Sequence, residues 1–141
     1  MPRSPSGTLK PATNQLEARP EPAGFVRSRV DPSCVFCAIV AGKAPAHWAA
    51  NVDGAAAIVP LNPVTPGHLL FLPKVHVRDA FEDPAITGKV MEAACRYAAQ
   101  ESANIITSVG SAATQTVFHL HIHVVPRKPG DGLALPWTGQ R

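Results

Sequence analysis

Three of the chain's six histidines, His119, His121 and His123, fall at two-residue intervals inside the apolar stretch HLHIHVV. Alternate side chains of an extended strand share a face, so this spacing lines three imidazoles on one side while Leu120, Ile122 and Val124 bury the other. Aligned imidazoles offer two kinds of chemistry: three nitrogen ligands around a metal ion, or a nucleophile and hydrogen-bond donors around an anionic phosphate. Spacing alone leaves both open. A second constellation lies upstream, where Cys34 and Cys37 form a C-x-x-C that either turns two sulfurs toward one tetrahedral ion or leaves two buried thiols.

These residues need elements to position them. Asp31, Pro32 and Ser33 can start a helix, Val35, Phe36, Ile39 and Val40 supply one apolar face, and Gly42 ends it. Ala55 to Val59 and His68 to Leu72 are apolar runs of strand length, separated by a loop containing Pro60, Asn62, Pro63, Pro66 and Gly67. Asp83 followed by Pro84 suits a helix start. Ile86, Val90, Ala93, Ala94 and Tyr97 then recur at helical spacing, predicting a long helix to about Ser102. Asn104 to Val109 and Thr116 to Val125 are rich in β-branched residues and read as strands, joined by the small-residue loop from Gly110 to Gln115. The expectation is an α+β fold: an antiparallel sheet of about five strands carrying one long and one short helix.

Composition narrows the function classes. The chain has 141 residues, enough for one domain with a sizeable core. Residues 1–31, rich in Pro, Ser, Arg and Glu, read as a disordered tail, and 32–141 as the domain. The tail holds five Lys/Arg against three Asp/Glu, which leaves eight against seven of the chain's 13 and 10 for the domain. So balanced a domain argues against nucleic acid as a partner. No apolar run approaches the roughly 20 residues needed to cross a bilayer, and the N-terminus lacks a secretory pattern. A reducing cytoplasm is the expected compartment, with the three cysteines as thiols or metal ligands.

HLHIHVV is similar to the signature of the histidine triad (HIT) family of nucleotide hydrolases and transferases. SCVFCAIVAGKAPA, PGHLLFLPKVHV, QTVFHLHIHVVPRK and GDGLALPW resemble, in order and spacing, the bacterial branch related to Hint proteins. The resemblance implies a HIT-like fold and a purine nucleotide substrate cleaved at its α-phosphate: a nucleoside phosphoramidate, an adenylylated amine or a dinucleoside polyphosphate. It implies that His121 forms a covalent nucleotidyl-histidine, oriented by the His119 carbonyl and by His68. It also implies that His123 and Thr116 bind phosphate oxygens, and that Cys34, Cys37, His76 and His119 hold a structural zinc ion. A homodimer is implied too, with the segment from Leu133 to Trp137 reaching the neighbouring site.

Three positions depart from the family pattern, all where a nucleotide is held. Pro60 stands where Asp or Asn grips the ribose, leaving Asn62 nearby as a substitute. Ser108 replaces a common Asn. Thr114 replaces the Gly before Gln115 that lets a backbone N–H approach phosphate, and its side chain would crowd that approach if the backbone needs positive φ. These departures keep an alternative in view, a non-catalytic nucleotide- or metabolite-binding module that retains fold and zinc. Cys95 reads as a plain thiol, and His47 belongs to no constellation.

Overall fold

The computed structural model describes residues 29–52 and 54–135. The expected tail therefore lies almost wholly outside the described residues. At its end Arg29 and Asp31 are tied to the domain: the Arg29 carbonyl accepts the His76 N–H, and the Arg29 guanidinium lies 3.4 Å from Asp83. Arg29, ahead of residue 32, thus bonds to the chain around His76 and to Asp83.

The elements run α1 (Val35–Val40), β1 (His47–Val52), β2 (Ala55–Val59), β3 (Leu69–Pro73), α2 (Pro84–Tyr97), β4 (Ala103–Ile106), a short 3-10 turn (Ser111–Ala113) and β5 (Ile122–Pro126). The strands form one antiparallel sheet in the order β1-β2-β3-β5-β4. This is the expected α+β architecture, with one short and one long helix. β1, not anticipated, follows from hairpin pairing with β2 across Gly54 at φ +81°. Its sequence HWAANV lacks the alternation that marks a strand.

The ends of the other elements differ from expectation. α2 begins as read, with the Asp83 carboxylate accepting the Ile86 N–H at 3.0 Å and Pro84 in the first turn, where its missing N–H costs nothing. It stops at Tyr97 rather than Ser102, since Ala98 leaves helical geometry. Tyr97 is not core either: it is largely exposed, and its hydroxyl donates to the Ala49 carbonyl. β4 ends at Ile106, short of Val109. β5 begins only at Ile122, so residues 116–121 approach the sheet without joining its ladder.

The sheet's pleat divides the core. Ala57, Phe71, Leu120, Ile122 and Val124 face α2, where they meet Val90 and Ala94. Ala56, Ile58, Leu70 and Leu72 face α1, against Phe36 and Ile39. Phe71, Leu72, Leu120 and Ile122 are all but fully buried, and each such side chain stabilises the fold by about 1.5–3 kcal/mol relative to exposure. The burial of Leu120, Ile122 and Val124 on the α2 side sends the intervening histidines to the α1 side.

Candidate active site and zinc site

The three histidines share a face, but their rings do not converge on one anion. His119 is wholly buried and turned toward α1. Its Nε2–H donates to the Pro73 carbonyl at 2.9 Å, leaving the Nδ1 lone pair 3.4 Å from the Cys34 sulfur and 3.6 Å from that of Cys37. His76 Nδ1 lies 3.3 Å from the Cys37 sulfur. The four ligand atoms of Cys34, Cys37, His76 and His119 all fall within 4.8 Å of one another.

Tetrahedral zinc with ordinary bond lengths would separate sulfur and nitrogen ligands by about 3.6 Å, and the distances found match. The surroundings suit the ion as well. Backbone N–H groups of Asp31 and Cys37 point at the two sulfurs, each at 3.4 Å, and the Asp31 carboxylate lies 3.9 Å from His76 Nε2. Burial raises the Cys37 thiol above its ordinary range and pushes His119 down to about 4. A buried divalent cation resolves both tendencies, because it binds neutral imidazole and stabilises thiolate. The site ties α1 to β3 and the chain before β5, with no ligand position left open.

His121 is half-buried and sits edge-on over Phe36, with ring centroids 5.1 Å apart. Its Nδ1–H donates to the His119 carbonyl at 2.8 Å. That bond fixes the tautomer and leaves an Nε2 lone pair free. Burial lowers its pKa, partly offset by the carbonyl, so the ring is neutral and nucleophilic at neutral pH.

The expected orientation of His121 by His68 is corrected. His68 Nε2 lies 3.0 Å from Nδ1 of His123, not against His121. The Val64 N–H donates to His68 Nδ1 at 3.1 Å, so neutral His68 carries its proton on Nε2 and donates it to His123. His123 must then carry its own proton on Nε2, as a donor fixed through two rings. Burial, chiefly, with the neighbouring His121 and His68, holds His123 near pKa 4.

A cavity of about 890 Å³ opens beside this pair. His68 and His123 form part of its wall, with Ser108 and Thr114 nearby, and Leu133 to Leu135 close one side. His121 neighbours His123, with centroids 5.2 Å apart, but stands outside that wall. Leu133 and Leu135 thus line this chain's own cavity, while Trp137 lies outside the described residues. The segment is held by Arg127, whose guanidinium donates twice to Asp131, once to Asn104 and once to the Leu133 carbonyl.

Thr114 has the positive φ that the sequence raised as a concern, +71°, a conformation unfavourable for a β-branched residue. Three other expected phosphate or ribose contacts are not brought to the cavity. Thr116 and Asn62 are exposed away from its wall. Gln115 is buried and spends its amide within the protein: Oε1 accepts the Gly110 N–H at 2.8 Å, and Nε2 donates to the carbonyls of Arg78 and Val117. With both donors consumed, it staples the loop instead of meeting a ligand.

Sequence reasoning missed two contributors. Thr107, on the cavity wall, donates its hydroxyl to the His121 carbonyl at 2.8 Å, and a β-branched residue in an expected strand gives no sign of this. Asp79 is buried, accepts the Phe81 and Glu82 N–H groups and pairs with Arg78. The signal for it was an Asp ahead of a non-helical, non-strand stretch, an Asx-turn pattern.

Comparison with known proteins agrees with this geometry. The family model described as HIT domain matches residues 41–130. An uncharacterized HIT-like protein of Mycobacterium tuberculosis is 41% identical over 110 residues, covering 72% of this chain and 76% of its own length. An adenylylsulfatase of Arabidopsis thaliana is 35% identical over 114 residues, 75% of this chain but 58% of its own. The crystal structure of a zinc-bound histidine triad family protein from Mycobacterium smegmatis superposes with a TM-score of 0.63 at 41% identity, covering 73% of this chain and 81% of that one. Cys34, Cys37, His76 and His119 form a zinc-binding site, and the chain belongs to the HIT domain family.

Proposed function

We propose that the protein is a nucleotide hydrolase in which His121 attacks the α-phosphorus of an adenylylated substrate. The observation that carries this reading is the His121 ring itself: its Nδ1–H is bound to the His119 carbonyl at 2.8 Å, and its neutral Nε2 is free beside His123. In the first step Nε2 donates its pair to phosphorus. A phosphorus–nitrogen bond to His121 forms, the bond from phosphorus to the leaving group breaks, and the leaving group departs with the electron pair of that broken bond and takes up a proton from solvent. In the second step water adds to phosphorus and gives up a proton to solvent, His121 leaves with the electron pair of the phosphorus–nitrogen bond, and the nucleotide is released. His123, with its proton held on Nε2 by the Val64–His68 relay, donates to a non-bridging oxygen and stabilises the charge that develops there. Zinc holds the scaffold and takes no part in either step.

Among the three substrate classes, the cavity favours a phosphoramidate or adenylylated amine over a dinucleoside polyphosphate. Among the described residues Arg127 is the sole Lys or Arg in its wall, and Asp131 and Asn104 engage its guanidinium. Extra phosphates there would find no uncompensated cation among the described residues. The name of the Arabidopsis relative supports adenylyl chemistry. The exposed Ile105 on edge strand β4 supports a homodimer. No helix among the described residues is long and apolar enough to cross a membrane.

The test is rapid-quench labelling with adenosine phosphoramidate radiolabelled at phosphorus. Acid-labile label on His121, absent in His121→Asn, is expected. Binding of AMP without any label would favour the non-catalytic module, for which the departures at Pro60 and Thr114 speak.

A further inference from the structure

We propose that Thr107 is a positioning residue for the nucleophile, its hydroxyl fixing the peptide from which the His121 imidazole projects. This rests on the reading of His121 given above. The last rung between β4 and β5 pairs Ile106 with His123. Beyond it β4 leaves the sheet, and His121 lies one residue before β5 begins. The ladder therefore stops just where the attacking ring must be held. At that point the Thr107 side chain takes over, donating to the His121 carbonyl at 2.8 Å.

The neighbouring bonds complete the restraint. Leu120 N–H donates to the Val77 carbonyl at 2.6 Å, and the His121 ring donates to the His119 carbonyl at 2.8 Å. The backbone on both sides of His121 and the ring's inner nitrogen are each tied to a different part of the fold. Of these ties, Thr107 supplies the one that a single substitution can remove without touching His121 or the zinc ligands. Removing it frees the 121–122 peptide to turn, which loosens the Cα that carries the ring and with it the Nδ1–H bond to the His119 carbonyl that sets the tautomer.

Thr107→Val keeps the side-chain shape and deletes the donor, while Thr107→Ser restores the donor without the methyl group. The expected result with labelled adenosine phosphoramidate is a nucleotidylation rate roughly three- to tenfold lower in Thr107→Val, the size of one neutral hydrogen bond, with rescue in Thr107→Ser. Affinity for AMP and zinc content should match the wild type. Long-range proton–nitrogen NMR of the ring should show His121 as a single Nδ1–H tautomer in wild type and as a mixture in Thr107→Val. If Thr107→Val fails to fold, Thr107→Ala carries the same comparison.

A wild-type rate and tautomer in the variant would overturn the proposal. So would an unchanged labelling rate with weakened AMP binding, since Thr107 would then be a substrate contact. Failure of the wild-type enzyme to take label would instead overturn the reading of His121 as nucleophile, and the tautomer comparison would still decide the role of Thr107.

Discussion

Replacing Gln115 by Met removes an amide and keeps an unbranched side chain of similar length, so it isolates the hydrogen bonds that staple residues 110–117. Three bonds are lost: from the Gly110 N–H at 2.8 Å, to the Arg78 carbonyl at 2.9 Å and to the Val117 carbonyl at 3.1 Å. Each neutral bond contributes about 0.5–1.5 kcal/mol net, and an orphaned buried partner costs more. Arg78 is exposed, while Gly110 and Val117 are half-buried, so water reaches some of the freed groups. The expected loss is then about 2–4 kcal/mol. The assay is urea unfolding of the zinc-loaded protein, in which the midpoint should fall while the slope stays constant. AMP affinity should fall as well, because the same loop carries Thr114 on the cavity wall. A loss below about 1 kcal/mol would refute the reasoning. The loop's own backbone bonds, Thr114 N–H to Ser111 and Gln115 N–H to Gly110, would then suffice to hold it.

Cys34→Ala removes one of four zinc ligands. It should abolish stoichiometric zinc in metal analysis of the purified protein and lower stability by several kcal/mol, whereas His121→Asn should retain one zinc per chain; equal zinc in both variants would contradict the assigned ligand set. Burial depresses His123 to about 4 in the folded protein, while the unfolded chain takes up this proton near 6.5. Its stabilising contribution is therefore complete above pH 6.5 and is lost as pH falls from 6.5 toward 4. Urea midpoints across that window should decline less steeply in His123→Asn than in wild type, and parallel slopes would refute the assignment.

How legible this protein was in its sequence follows from how far each residue's partners lie along the chain. The shared face of the three histidines, the Asp83-Pro84 helix start and the C-x-x-C turn are local patterns. Each is set by periodicity or by a cap within a few residues, and each was readable. The zinc quartet was reached through family resemblance, because Cys34 and His119 stand 85 residues apart and only the fold brings them together. β1 could not be read, since HWAANV has no alternation and pairs only because the turn at Gly54 returns the chain onto β2. Gln115 and His68 show a different limit. Residue type placed both near the phosphate chemistry, yet role depends on where each polar atom finds its partner. The Gln115 amide is consumed by three backbone groups, and His68 is drawn to His123 because the Val64 N–H fixes which nitrogen holds its proton. Thr107 marks the point where this becomes general. A hydroxyl that closes the gap left by a departing strand looks in sequence like any β-branched strand residue, and only the place where the ladder stops, two residues short of His121, gives it work to do.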